Sequence, residues 1–211
     1  FAQDPSTLPP QKDADARVAA LREAWKGNDD LAKENAVAAC ADCPHPAVTA
    51  ALAPLLVSGS EELRIAVAKA LGKMPGFADA AKALHSGMKA NEKLDKDLRA
   101  VFEGIARVGH LSSVGVLERW IDDRRDLRDS EEVPGVILAF DGLGFLKHKA
   151  SVDVILDLCN KKKVSGWGAG TGGGYKWKCG RHAEAALVRF TGQEAFGDLE
   201  LWKDWWKKNA R

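Results

Sequence analysis

Apolar residues return along this chain at intervals of three and four. Between residues 61 and 75 they are Leu63, Ala66, Val67, Ala70, Leu71 and Met74. The spacing i, i+3, i+4, i+7, i+8, i+11 puts them on one side of a helix. Just before, Val48, Leu52, Leu55 and Leu56 draw the same kind of face over 46–57. Ser60 followed by Glu61 and Glu62 supplies a capping oxygen and first-turn acids, and Pro75-Gly76 a stop. Four stretches fall into register as one helix: Asp29 to Pro44, Glu61 to Pro75, Lys96 to His110 and Glu131 to Phe145. Three of them open alike, as Glu61-Glu62-Leu63, Lys96-Asp97-Leu98 and Glu131-Glu132-Val133, with starts 35 residues apart. A period in the thirties with helical content throughout predicts helical hairpins stacked into a solenoid, since one hairpin cannot bury its apolar face alone.

The predicted pairs are 13–26 with 29–43, 46–57 with 60–75, 78–90 with 94–108, 113–122 with 133–145, and 150–160 with 179–190. In the third pair Leu98, Val101, Phe102 and Ile105 face in. The expected fold is all-α, a right-handed α-α superhelix of about five hairpins closed by a C-terminal capping helix. Residues 1–12, with Pro5, Pro9 and Pro10, read as an extended leader. Residues 13–193 form the repeat domain, with a Gly-rich insertion at 161–178, and 194–211 carry the Trp-rich cap.

Leu63-Arg64-Ile65-Ala66-Val67-Ala68-Lys69-Ala70-Leu71-Gly72 resembles the second-helix signature of HEAT-type repeats, and Leu98-Arg99 repeats its opening. The tail, Arg189-Phe190-Thr191-Gly192-Gln193 with Trp202, Trp205 and Trp206, is similar to the end of exported HEAT-repeat proteins of planctomycete-like bacteria. The resemblance spans about 13–211. It implies scaffolding and protein binding, and no catalytic residue to carry over. Repeat four departs from the pattern, with Pro134 and Gly135 where Arg is expected and Asp141 in a core-facing slot.

Composition adds limits. The 211 residues are 45% hydrophobic and 29% charged with a net charge of +1, so the whole chain is no polyanion binder. No apolar run approaches the roughly 18 residues of a membrane span. Residues 161–211 hold 11 Lys/Arg against 5 Asp/Glu, a basic end whose ordinary reading is solvated lysines on a terminal repeat. The opening Phe1-Ala2-Gln3-Asp4-Pro5 reads as the stump of a removed signal peptide, predicting a periplasmic or extracellular protein.

The cysteines fit that compartment. Cys159 ends the inward face of one helix and Cys179 begins that of its partner. An antiparallel hairpin brings these ends together, which predicts a disulfide. Closing a loop of about 20 residues stabilises by roughly 3 kcal/mol. Cys40 and Cys43 align with Leu71 and Met74, as small buried hydrophobes or a local disulfide. A haem signature needs His where Pro44 stands, and no second Cys/His pair completes a zinc site.

The Gly-rich stretch Ser165 to Gly174 is flanked by lysines, as an anion site would be: Lys161, Lys162, Lys163, Lys176 and Lys178. It lacks the Gly-Lys-Ser/Thr ending and preceding strand of a phosphate loop. As a long loop with aromatics beside basic groups, it is the expected partner contact: Lys161, Lys162, Lys163, Trp167, Tyr175, Lys176 and Trp177. Trp202, Trp205 and Trp206 are expected to seal the open end of the core, or to leave one ring as a platform. Histidines 45, 85, 110, 148 and 182 are scattered, with no recognisable catalytic grouping; the nearest is His182 with Glu184 and Asp141. These features predict a non-enzymatic interaction module with a protein partner, no cofactor and no metal. The alternative is a ligand carrier or enzyme on the same scaffold, lyase-like or glycosylase-like. Nucleic acid is disfavoured by the near-zero net charge and by export.

Overall fold

The computed structural model describes residues 8–124, 133–161 and 179–210, the last residue of the second stretch without its side chain. These residues form helices and turns, with no strand among them. The chain divides into two compact units, one ending at Ser113 and one starting at Val114.

The first unit holds α1 (Gln11–Lys26), α2 (Asp30–Cys40), α3 (Pro46–Leu52), α4 (Glu61–Gly72), α5 (Ala78–Ala90) and α6 (Asp95–Val108). Short connections make sequential helices antiparallel. Odd and even helices therefore form two layers, with α1, α3 and α5 in one and α2, α4 and α6 in the other. The first helix begins at Gln11, so the last two residues of the expected leader belong to it. The helix expected over 46–57 is α-helical only to Leu52 and continues as a 3₁₀ segment, Ala53–Val57. Pro54 has no N–H to continue the ladder, and its ring crowds the preceding turn.

Caps are local and legible. Ser60 Oγ accepts from Leu63 N, and the Asp29 carboxylate from Leu31 N and Ala32 N. Gly109 ends α6 in the left-handed region at φ 63°, where any Cβ is strained. The 35-residue register reappears as ion pairs between α4 and α6. Lys96 Nζ lies 2.7 Å from Glu61 Oε1. Arg64 grips Asp97 through Nε at 2.6 Å and Nη2 at 3.3 Å. Glycine sets the spacing of the same two helices: a Cβ on Gly104 would stand 2.9 Å from the Ala68 carbonyl oxygen.

The second unit takes most of α7 (Ser112–Asp122), then α8 (Pro134–Phe145), α9 (Lys149–Lys161), α10 (Gly180–Thr191) and α11 (Leu199–Asn209). Helix α8 is buried nearly all round. Pro134 opens it at a position where a missing N–H costs nothing. Gly135 follows because the Trp120 indole lies against it and donates to its carbonyl at 3.1 Å. Asp141 corrects the core-facing expectation: it is half-buried and pairs with Arg189 at 2.9 Å. The cap is as expected in part. Trp202 is fully buried, while Trp205 and Trp206 are half-buried. Trp202 Nε1 donates to Glu184 Oε1 at 2.9 Å, and the same oxygen accepts from Gly197 N at 2.7 Å. Trp206 Nε1 donates to Asp153 of α9 at 2.7 Å.

Candidate partner-binding surface

The odd-numbered layer of the first unit carries a trough. Its floor is α3, which shows solvent Pro46, Ala47, Ala50 and Ala51 because Val48 and Leu52 are spent on the core. A depression of about 490 Å³ between α1 and α3 is walled by Asp15, Ala19 and Arg22. A second, of about 370 Å³ between α3 and α5, is walled by Asp79, Lys82, Ala83 and Ser86. Ala50 lies in both. Methyl side chains on the middle helix, between helices bearing long charged ones, are what make the surface concave.

The rims are charged and not internally neutralised. Asp15 accepts from Gln11 at 2.8 Å. The charged groups of Arg22, Asp79 and Lys82 have no hydrogen-bond or ion-pair partner among the described residues. Elsewhere the unit pairs its charges across helices, as at Glu61–Lys96 and Arg64–Asp97. No sequence pattern singled out this trough. The signal was the Pro46–Pro54 segment, with Ala at 47, 50, 51 and 53, which periodicity alone classes as an ordinary exposed face.

Of the residues expected to contact a partner, Lys162, Lys163, Trp167, Tyr175, Lys176 and Trp177 lie outside the described residues. Lys161 is the last residue of α9. The cysteines are placed as expected but chemically differ. Cys159 lies in α9 and Cys179 at the start of α10, both buried, and neither is in a disulfide. Cys40 and Cys43 are likewise buried and not bonded to each other. The predicted Cys159–Cys179 bond is therefore corrected to two thiols. Sequence placed both at adjoining helix ends, but bonding needs a sulfur-to-sulfur geometry that helix packing sets. Burial raises the pKa of Cys159 and Cys43, and pushes the Cys40 thiol up to about 11. All three are held as protonated, apolar side chains.

The histidines do not assemble with acids. Glu184 is buried against the cap and Asp141 is held by Arg189, so neither joins His182 in a grouping. His85 Nε2 and Ser113 Oγ are 2.9 Å apart, but Ser113 is fully buried. Burial and the nearby His110 push His85 down to about 4. Among the described residues no three His, Cys, Asp or Glu could hold a metal ion. No described helix is long and apolar enough to cross a membrane.

Stacked antiparallel hairpins with paired charges one repeat apart define an α-solenoid repeat protein. A family model of HEAT repeats matches residues 15–103, from α1 into α6. The matched span, which makes up most of the first unit, is of the HEAT-repeat kind. HEAT repeats generally mediate protein–protein interaction or scaffolding. No curated protein matches the chain.

Proposed function

We propose that this chain is a non-catalytic protein-binding scaffold module, serving as a subunit of an exported or membrane-associated assembly. The observation that carries the reading is the trough over α3: a concave, alanine-floored surface with unneutralised rims, inside the HEAT-repeat span. Repeat folds use such extended faces for partners. The basic, aromatic segment 161–178 is proposed as a second contact, and the periplasm or cell exterior as the site of action.

Native mass spectrometry of the protein gently extracted from its own cells tests this. A complex heavier than the 22.8 kDa chain by a second polypeptide is expected. A bare chain under all extraction conditions would overturn the scaffold reading. Replacing 165–174 by a short Gly-Ser linker should weaken the complex without altering the helical melt. Unchanged binding would remove that segment from the contact surface.

A further inference from the structure

We infer that the trough over α3 takes a single α-helix of the partner protein, lying antiparallel to α3, with acids toward its N-terminal end and bases toward its C-terminal end. This rests on the scaffold reading above and names the kind of partner for that surface.

The shape sets the first half of the inference. A helix comes closest to a neighbour where the facing side chains are small, and the floor of the first depression at Ala47, Ala50 and Ala51 is methyl groups. Ala50 lines both depressions, so a helix seated over it borders α1 on one side and α5 on the other. Neighbouring helices pack about 8–10 Å apart. One helix width is thus what the interval between next-nearest helices can receive.

The charges set the second half. Helices α1, α3 and α5 are alternate members of an antiparallel series and run parallel to one another. On α1 the rim residue nearer the N-terminus is Asp15 and the one nearer the C-terminus is Arg22. Seven residues of helix separate them by about 10 Å. On α5 the order repeats one turn apart, Asp79 before Lys82. Both rims are therefore acidic at one end and basic at the other, in the same sense. A seated helix matches them when its acids lie by Arg22 and Lys82 and its bases by Asp15 and Asp79. Acids favour a helix N-terminus and bases a C-terminus. A helix with that stable arrangement matches the rims only when antiparallel to α3. That direction also opposes its macrodipole to those of the layer beneath.

The probe is an 18-residue stapled peptide with Ala and Ser on one face, Glu in its first two turns and Lys in its last two. A second peptide has Glu and Lys transposed. Binding to the full chain is read by fluorescence anisotropy at low salt. The first peptide is expected to bind about tenfold tighter, as complementary charge rewards the right partner and penalises the wrong one. Ala50→Trp should abolish binding of both, and circular dichroism would show the fold retained at this exposed position. Exchanging the rim charges together (D15K, R22E, D79K, K82E) should reverse the preference.

Equal affinity for both peptides, no binding by either, or binding that survives Ala50→Trp would each overturn the inference. So would self-association that Ala50→Trp abolishes, since the occupant would then be a second copy. A partner found by native mass spectrometry whose binding ignores Ala50→Trp would overturn the trough assignment and leave the scaffold reading standing.

Discussion

At the scale of single residues, the pair Arg64–Asp97 shows how one contact fastens adjacent repeats. The Asp97 side chain is 1% exposed and that of Arg64 is 18%. Removing the acid leaves a cation half out of water with only the Gly59 carbonyl, 2.7 Å away. Asp97→Ala should therefore cost roughly 3 kcal/mol in urea unfolding, within the range for breaking a buried pair. Asp97→Asn keeps an acceptor and should cost less. Glycines give a sign test. Gly104→Ala drives a methyl into the Ala68 carbonyl and should destabilise by about 2 kcal/mol. Gly115→Ala in α7 meets nothing within 4 Å and should stabilise by about 0.5–1 kcal/mol through the unfolded chain. His85 adds a pH dependence. Its folded pKa of about 4 lies below the ordinary 6.5, so the unfolded chain binds the proton first. Its contribution is complete above pH 6.5 and is lost as pH falls toward 4. Solvent reaches the half-buried ring, leaving about 2 kcal/mol of difference across that window. Urea midpoints at pH 7 and 4.5 should converge in His85→Gln relative to the parent; an unchanged gap would reject the assignment.

At the scale of elements, the cap helix α11 depends on one buried oxygen. Glu184 Oε1 receives both the Trp202 indole N–H and the Gly197 N–H. Glu184→Gln retains that acceptor and should leave stability within about 1 kcal/mol. Glu184→Ala orphans two donors and should cost about 2–3 kcal/mol. Trp202→Ala empties a fully buried site and should cost roughly 3–5 kcal/mol. Protease cleavage near 192–198 reports whether α11 has come away. The sequence places a Trp-rich cap over 194–211, yet does not identify Glu184 as its anchor. A glutamate on an apolar face carries no mark of its partner until the next helix folds back over it. The break of α3 at Pro54 was visible as a residue, but a 3₁₀ continuation depends on how α5 and α4 pack against it.

At the scale of the molecule, two compact units are seen where periodicity predicts one repeat domain. Their boundary falls at Ser113 and Val114, inside α7. The thiol state is a property of the whole chain. Denaturation without reductant followed by alkylation should label all four cysteines, while labelling of the native protein should be negligible because all four are buried. Two labels after denaturation would restore the disulfide that the hairpin ends suggested.

The helices, their caps and their pairing were determined by the sequence itself. A period of 3.6 and a capping oxygen act within a few residues, and the 35-residue register repeats the same local solution. Arg64 was legible as part of a repeat signature; its partner Asp97, one repeat away, was not. Only the tertiary structure decided that the outward alanines of α3 would lie between charged neighbours, and so that a trough exists. It also decided that Cys159 and Cys179, close in the chain's plan, would remain two thiols. These outcomes are set by distances between side chains far apart in sequence, and packing of several helices at once is what fixes such distances.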